Sequence, residues 1–536
     1  MINDLNRSQG NSVYSVRDLM TPLVIVTFAL FVRILFFSGA VGSDDLTYAK
    51  KAMDIAADNW DLSDYVGGQR YGLHLPMAMF MSVFGFSQFA ANSFQLVSSL
   101  AEIVVLWWIA WRFFGHRIAV YSALILAIHP LHVNIAGRIL ADPPMNLFIT
   151  SAFAFFVVAE KSRHIAWYVA TGICLGLVFW TKSSVAVLIA PLFLVYAIYV
   201  RRFRIEWLWL VGSAAFISLG YILLLAILSG DPLFIVNSRA QAVDSALVSS
   251  GKDFSAWTYF KYLFVDIKHT GLLGPLALIG GFLLLRNRYC ESQQSCFLFV
   301  LWGTGLVAIL SFGVVSLDPL LFVPKQSNYM TIFAAPLCLF AAIAVDRLPG
   351  VSKSILLAAI IGSGFLLSAF EQQAVRVFVA NSVAADQFAA KHPDKIFYGA
   401  RPATSLSLYW GRVDGNNDPD AVGRILPIPD EEPRLFPPAG VSPADDINLV
   451  IDTETVGWSG IPGLSPPDIP DCWRQVAVLE PTGFGTGEMI VSALRQTADL
   501  GPGFIARKVK GATDQIYRPK PAFVYATPSD CSIQLK

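Results

Sequence analysis

The sequence predicts a mainly α-helical integral membrane protein, a polytopic bundle of about eleven transmembrane helices followed by a small α/β domain. Of its 536 residues, 55% are hydrophobic and only 15% are charged, whereas soluble domains carry about a quarter charged residues. Apolar runs of about 17–25 residues, long enough to cross a bilayer, recur as far as Phe370. The formal net charge is zero, which gives no indication of a nucleic acid partner.

The first expected span covers residues 21–39. We expect it to be retained, because its apolar run is long for a signal peptide and Arg33 interrupts it. The later expected spans, two of them short and close together around Cys174 and Val187, are 91–111, 118–133, 145–159, 166–180, 184–200, 207–228, 271–285, 297–316, 329–345 and 354–370.

Basic residues predict the orientation of these spans, because short cytoplasmic loops are enriched in Lys and Arg. With eleven spans, all the basic clusters fall on one side, which we expect to be cytoplasmic. They are Arg7 and Arg17, Arg112 and Arg117, Lys161 and Arg163, Arg201, Arg202 and Arg204, Arg286 and Arg288, and Arg347 and Lys353. The opposite side, periplasmic in a bacterial inner membrane, then holds the first loop, residues 129–144, 229–271 and 318–328, and the tail.

Residues 371–536 are predicted to form a periplasmic α/β domain, with residues 1–370 as the transmembrane domain. This tail is rich in Pro, Gly and Asp. Short apolar segments alternate in it with helical stretches, namely residues 396–398, 448–451 and 476–479. Cys472 and Cys531 are its only cysteines, and an oxidising compartment would let them form a disulfide.

The stretch Gly42-Ser43-Asp44-Asp45-Leu46-Thr47-Tyr48 follows the first span directly. Two adjacent carboxylates at the mouth of a membrane helix are costly to keep unless water or a substrate meets them. If Ser43 caps a helix that begins at Asp44, then Asp44 and Tyr48 lie four residues apart and share a face. The alternative is that both carboxylates simply complement the helix N-terminus.

Further polar residues are expected at the same membrane face. Arg138 and Asp142 are four residues apart, and Pro143-Pro144 is expected to end their helix. They form either an ordinary ion pair or part of a site. Lys182 lies between two expected spans, where it is either an interfacial lysine or a phosphate ligand.

Lys325 and Tyr329 offer the same two interpretations as Lys182. Arg70 and His74 flank the start of a helix near the first loop, and a lone histidine there is more often structural. Arg33 and Glu102 lie inside expected spans, where an unpaired charge is costly. We therefore expect them to pair with each other or to face the bundle interior.

In the order and common membrane face of these motifs, residues 20–370 resemble the GT-C glycosyltransferases. The similarity is to the bacterial branch that includes the lipid A aminoarabinose transferases and is related to protein O-mannosyltransferases. The motifs are Asp44-Asp45 with Tyr48, Pro76 with Phe84-Gly85, Arg138 with Asp142, Thr181-Lys182, and Lys325 with Tyr329. The family often has Glu at the position of Asp45 and Arg at that of Asn328, so substrate contacts are expected to differ there.

The resemblance implies an inverting glycosyltransferase that takes a sugar from a polyprenyl-phosphate-linked donor to a hydroxyl of lipid A, a polysaccharide or a protein. Asp44 is the expected general base, Asp142 the second catalytic carboxylate, and Asp45 and Tyr48 support them. The residues expected to bind the donor phosphate and sugar are Lys182, Arg138, Lys325, Tyr329, Arg70 and His74. No cofactor is expected, although Asp44 and Asp45 could hold a divalent cation through their oxygens.

Two alternatives remain open at this point. A lipid-linked sugar transporter or flippase would also be hydrophobic, but transporters commonly show repeated halves and interrupted helices, and neither is visible. A metal-dependent oligosaccharyl or polymer transferase would lose activity in chelator.

The connection from Ser229 to Gly271 is predicted to be a mobile lid over the donor, because it is far longer than an ordinary connection of about 4–6 residues. Its basic and aromatic residues suit a lipid phosphate at an interface; they are Arg239, Lys252, Lys261, Lys268, Phe254, Trp257, Tyr259 and Phe260. A plain interfacial helix is the alternative.

Overall fold

The structure, a computed structural model, describes residues 16–63, 65–248, 255–286, 289, 292–317, 320–418, 420–428, 435–437, 447–452, 469–528, 531 and 533–534. Among these residues, seven helices are long and apolar enough to cross a membrane, or eight if one bent pair counts as a span. The predicted class, a mainly α-helical membrane bundle, is confirmed. The predicted count of about eleven spans is not confirmed.

The membrane part contains the first sixteen helices of the described chain. They are α1 (Val16–Leu35), α2 (Asp44–Ala56), α3 (Tyr71–Phe84), α4 (Gln88–Phe114), α5 (His116–Ala127), α6 (Pro130–Ala136), α7 (Asp142–Ser162), α8 (Ile165–Val200), α9 (Trp207–Ser229), α10 (Phe234–Val248), α11 (Thr258–Phe264), α12 (Leu273–Leu285), α13 (Gln293–Val300), α14 (Leu306–Phe312), α15 (Ala334–Asp346) and α16 (Gly350–Ala390). Short elements join them: the 3₁₀ turns Val66–Gln69 and Ser327–Phe333, the π-helical turn Leu301–Gly305, and a hairpin of β1 (Val314–Leu317) and β2 (Leu320–Phe322).

Helix α8 folds back on itself at Lys182, whose φ of −158° and ψ of 81° are not helical. The hydroxyls of Tyr168 and Tyr196 both donate to the Glu160 carboxylate, at 2.9 and 2.7 Å. In a straight helix these two tyrosines would be about 42 Å apart, so the two legs of α8 run antiparallel. The predicted separate spans 166–180 and 184–200 correspond to these legs, and Lys182 lies at the end of the bundle opposite Glu160.

Two predicted details are wrong, both because of proline. The expected span 118–133 is broken into α5 and α6, which meet at 60°, because Pro130 starts α6 and lacks the N–H that a continuous helix needs. Pro143 and Pro144 do not end a helix but occupy the first turn of α7, where a missing N–H costs nothing. Arg138 therefore lies in the turn before α7 and not on a helix with Asp142.

The described residues of the tail form three helices and seven short strands: β3 (Ile396–Gly399), α17 (Arg401–Asp414), β4 (Ile425–Pro427), β5 (Leu435–Phe436), β6 (Ile447–Ile451), β7 (Arg474–Leu479), α18 (Thr486–Asp499), α19 (Gly503–Tyr517), β8 (Ala522–Ala526) and β9 (Ile533–Gln534). Five of the strands form a mixed sheet of order β4-β3-β6-β8-β7, in which β3 is parallel to β4 and β6 and β8 is antiparallel to its neighbours. The predicted disulfide between Cys472 and Cys531 is present. Helix α16 runs without interruption through the predicted domain boundary after residue 370.

Arg33 and Glu102 face the bundle interior, as expected, but do not contact each other directly. Arg33 Nη2 lies 2.7 Å from Nδ1 of His132, and His132 Nε2 lies 2.9 Å from the Glu102 carboxylate. Thr150 donates to the second Glu102 oxygen at 2.9 Å. The network joins α1, α4, α6 and α7 and satisfies these buried groups.

Candidate active site

The two adjacent carboxylates at the start of α2 have different environments. Asp45 is buried, and its two oxygens accept hydrogen bonds from the backbone N–H groups of Val41 and Ser43. The hydroxyl of Ser43 makes no capping bond, so the expected Ser43 cap is wrong and Asp45 orders the turn instead. The Asp44 side chain is 45% exposed and lies 3.8 Å from Nη2 of Arg401. Burial raises the pKa of Asp45, and the hydrogen bonds from the backbone N–H groups partly offset this rise.

Two tyrosines and Arg70 surround Asp44. Burial and the Asp44 charge raise the pKa of Tyr65. Tyr48, buried one helical turn after Asp44, accepts a bond from Arg70 Nη1 at 2.5 Å, and the Arg70 guanidinium lies 5.0 Å from the Tyr48 ring centroid. Gly67 is needed where these rings meet, because a Cβ there would lie 2.8 Å from Tyr48 Cε1.

Asp142 forms the centre of a second cluster, built from three distant parts of the chain. It is buried at the first position of α7. Lys182 Nζ lies 3.4 Å from one Asp142 oxygen, and Asn328 Nδ2 donates to the other at 3.1 Å. Lys182 Nζ also lies 4.1 Å from the ring centroid of Tyr329. Three of the predicted site residues, Asp142, Lys182 and Tyr329, are therefore brought together.

Arg70 connects the two clusters. Burial acts to lower its pKa, but interaction with its neighbours raises it above the ordinary value. Those neighbours are Tyr48, Tyr65, Tyr329 and Asp142. The Asp44 loop and the Asp142 cluster are thus coupled electrostatically through Arg70.

Arg239 of α10 is a residue of this site that the sequence suggested only as part of the lid. It interacts electrostatically with Tyr221, whose hydroxyl donates to the Gln69 carbonyl at 2.7 Å. Its neighbour Ser238 lies 3.3 Å from Gln69 Oε1. Burial lowers the pKa of Arg239, and the Arg70 charge lowers it further. In the part of the chain that the structure describes, neither guanidinium is ion-paired to a carboxylate, so positive charge accumulates here.

Lys325 and His74 do not join Lys182 at Asp142. Lys325 is buried and its ammonium donates to the carbonyls of Leu310 and Val323 at 2.8 and 2.6 Å. His74 is fully buried with Nε2 3.0 Å from the Gly67 carbonyl, and its ring lies 5.8 Å from that of Tyr48. His74 thus packs near Tyr48. Donor binding by Lys325 or His74 stays a prediction.

The charge of Arg138 acts to lower the pKa of Asp45, against the larger effect of burial. No ion pair between Arg138 and Asp142 occurs among the described residues, and Arg138 Nε is buried without a partner. The i,i+4 ion pair, one of the two interpretations of these residues, is absent because Arg138 lies in the turn before α7 while Asp142 begins that helix. A donor-binding role for Arg138 is likewise untested.

The predicted lid contains α10 and α11, while Lys252 and Phe254 lie outside the described residues. Helix α10 packs on the turn Val66–Gln69, and α11 places Tyr259 3.3 Å from the Gln326 carbonyl. In its described residues the connection thus contains two helices, one in contact with Gln69 and the other with Gln326. Its mobility remains a prediction.

Comparisons with proteins of related sequence or fold support the family resemblance that the motifs indicated. Residues 74–224 match the family model described as dolichyl-phosphate-mannose-protein mannosyltransferase. The undecaprenyl phosphate-alpha-4-amino-4-deoxy-L-arabinose arabinosyl transferase of Yersinia pestis is 26% identical over 281 residues, 49% of this chain and 47% of that protein. The chain therefore matches about half the length of this curated relative.

Three solved structures share the fold over most of the chain. ArnT from Cupriavidus metallidurans bound to undecaprenyl phosphate has a TM-score of 0.56 at 15% identity, covering 88% of this chain and 97% of that chain. Apo ArnT gives 0.50 at 18%, covering 76% and 77%. The Archaeoglobus fulgidus oligosaccharyltransferase AglB, in complex with an inhibitory peptide and a dolichol-phosphate, gives 0.51 at 12%, covering 96% and 89%. The expected GT-C fold is thereby confirmed.

Proposed function

We propose that this GT-C chain is a membrane glycosyltransferase that moves a sugar from a polyprenyl-phosphate-linked donor to a hydroxyl acceptor. The acceptor belongs to a lipid, a glycan or a protein, and the reaction takes place at the periplasmic face of a bacterial inner membrane. One observation carries the proposal: the accessible carboxylate of Asp44 and a partly buried cationic cluster of Arg70, Lys182 and Arg239 lie at the same end of the bundle. The undecaprenyl and dolichol phosphates named for the relatives support a lipid-linked donor.

The donor phosphate is assigned to the space between Arg70, Lys182 and Arg239. Asp142 is the carboxylate that contacts one of these cations, Lys182. Excess buried positive charge is costly unless an anion compensates it. A phosphate suits this space, since guanidinium groups bind it in a bidentate manner and a lysine serves as a point charge.

The acceptor side is assigned to Asp44. Its carboxylate removes the proton of the acceptor hydroxyl, whose oxygen attacks the anomeric carbon from the side opposite the phosphate. The bond between that carbon and the phosphate oxygen breaks, and the configuration inverts. The neighbouring cations stabilise the negative charge that develops on the departing lipid phosphate. Arg401, at 3.8 Å, helps to hold the Asp44 carboxylate in place.

Asp142, the second expected catalytic carboxylate, is assigned the role of positioning Lys182. Its two oxygens are occupied by Lys182 and Asn328. The family often has Arg at the position of Asn328. In this chain Asp142 is instead held by one full charge, on Lys182, and by the neutral amide of Asn328. We therefore expect Asp142 to orient Lys182 toward the donor and not to contact the acceptor.

Two variants test the proposal in the full-length protein. Asp44→Asn keeps the size but not the basicity of the group, so turnover should fall about 10²–10⁴-fold while the Kd for undecaprenyl phosphate in nanodiscs stays unchanged. Arg239→Gln should weaken that Kd and should affect turnover less at saturating donor. Asp61→Asn, an exposed residue of the same loop, is the matched control. Mass spectrometry of cell-envelope glycans with and without the gene identifies the product and measures each variant.

Near-normal transfer by a well-folded Asp44→Asn protein would contradict the base assignment and leave both carboxylates as helix-end residues. Loss of donor binding in Asp44→Asn would contradict the separation of the two sides of the site. A metal-dependent transferase is the second candidate, but Asp45 commits both oxygens to backbone donors. We therefore expect turnover to be the same with and without chelator.

A further inference from the structure

The helical hairpin formed by α18 and α19 carries unusually exposed apolar side chains at its tip. Leu500 is 90% exposed, Phe504 58% and Ile505 40%. Between Asp499 and Arg507 the chain has no charged residue at all. A contiguous exposed apolar segment of this kind indicates contact with an apolar partner.

The path of the chain places this hairpin relative to the membrane. Before α18 the chain runs along α16 from Ala380 to Gln372. Thr482 N donates to the Ala380 carbonyl at 3.4 Å, and Gly487 N donates to Gln372 Oε1 at 2.6 Å. After α19 it returns the same way: Gln373 Nε2 donates to the Tyr517 carbonyl at 2.8 Å. The hairpin therefore extends from the level of residues 372–373 of α16.

That level is the end of the apolar part of the bundle. Gln372 Nε2 donates at 2.8 Å to the carbonyl of Phe37, which lies just beyond the end of α1. Ile490 of α18 packs against the apolar core formed by the membrane helices. The base of the hairpin is thus at the membrane boundary, on the side that carries the tail sheet.

The charges of the hairpin favour an anionic partner. Its three acidic residues are each ion-paired within the hairpin or at its end: Asp499 with Lys510 at 2.7 Å, Asp514 with Arg495 at 2.9 Å, and Glu488 with Arg518 at 2.6 Å. Arg507 and Lys508 are exposed and join no ion pair among the described residues. They follow Phe504 by three and four residues, so the three side chains share one face of α19.

We propose that the α18–α19 hairpin is a membrane-surface element whose partner is the anionic bilayer itself. Leu500, Phe504 and Ile505 enter the boundary between headgroups and acyl chains. Arg507 and Lys508 extend from the same face to lipid phosphates. The hairpin thereby fixes the tail against the membrane next to the site, without depending on the activity proposed above.

Spin labels on the full chain in nanodiscs test this placement. Phe504→Cys is compared with Asp394→Cys, an exposed site just after α16, whose end lies about 27 Å further along the helix from residue 372. Power saturation should show several-fold higher accessibility to oxygen, relative to a water-soluble nickel complex, at residue 504 than at residue 394. The parent chain, carried through the same labelling, gives the background of the native cysteines. Equal aqueous accessibility at both sites would overturn the proposal.

The ionic part is tested by lipid composition. The label at residue 504 should move deeper when phosphatidylcholine discs are replaced by discs that also contain phosphatidylglycerol, and Arg507→Gln with Lys508→Gln should abolish that difference. An equal depth in both lipids for the parent hairpin would overturn the choice of an anionic surface. Thermal unfolding of each labelled protein shows whether the tail remains folded.

Discussion

At the scale of single residues, neighbouring side chains with the same chemistry differ in what surrounds them. Consecutive residues of a helix point about 100° apart, so the sequence could identify the Asp44-Asp45 pair but could not divide its roles. The structure turns Asp45 toward the preceding backbone and leaves Asp44 accessible. Arg401 was not predicted, because a contact across most of the chain leaves no local pattern.

Asp45→Asn is expected to destabilise the protein more than it impairs the chemistry. An amide offers one acceptor oxygen and one NH₂ group, so one of the two backbone donors, Val41 or Ser43, loses its partner. A buried donor left unsatisfied costs about 1–3 kcal/mol, which should appear as a lower unfolding temperature in detergent. Asp44→Asn is the matched comparison and should unfold like the parent. An inactive Asp45→Asn protein of parental stability would instead make Asp45 part of the chemistry.

At the scale of elements, the contact between α2 and α17 holds the tail against the site. Arg412 is buried and donates to Asp54 at 2.6 Å and to Asn417 Oδ1 at 2.9 Å. The Asn417 amide in turn donates to the Met53 carbonyl at 2.9 Å. This packing brings Arg401, the first residue of α17, to Asp44. The sequence predicted a separate tail domain but not this interface, since polar contacts between distant segments have no periodicity.

Gly42→Ala should disrupt that interface. Gly42 has a φ of +79°, and a Cβ there would lie 2.9 Å from the backbone of Pro402. The left-handed conformation costs an L-residue about 1–2 kcal/mol, and the clash must in addition displace α17. We expect lower thermal stability and reduced turnover with unchanged binding of undecaprenyl phosphate. Gly85→Ala is the control, because Gly85 has a φ of +82° but no neighbour within 4 Å of the added Cβ; equal effects of both variants would show that the interface contributes nothing.

The fold of α8 shows how far apolar patterning reaches at this scale. The sequence divided residues 166–200 into two short spans and placed Lys182 between them, and the structure bends there. Prolines were harder to interpret. A proline inside a helix removes an N–H that the helix needs and so ends it, whereas a proline in the first turn loses nothing and can begin a helix. Pro143 and Pro144 are the clearest case.

At the scale of the whole molecule, the basic loops around Glu160 and the site occupy opposite ends of the bundle. The Glu160 carboxylate accepts hydrogen bonds from five side chains: Arg163, Arg204, Tyr168, Tyr196 and Trp207. These bonds join the end of α7, both ends of α8 and the start of α9. Lys182 and Asp142 lie at the other end of the same helices. The basic residues near Glu160 are those from which the sequence predicts a cytoplasmic face, while Arg7 and Arg288 lie outside the described residues.

That separation makes the orientation of the chain a test of the proposed site. If the Arg201–Arg204 loop is cytoplasmic, then Asp44, Lys182 and the tail are periplasmic. A fluorescent reporter that matures only in the cytoplasm should be dark when fused after Lys536 and bright when fused to a chain truncated after Arg204. Alkaline phosphatase, active only in the periplasm, should give the reverse pattern. A bright reporter after Lys536 would place Asp44 in the cytoplasm, where soluble nucleotide sugars are available, and a lipid-linked donor would then no longer follow from where the site lies.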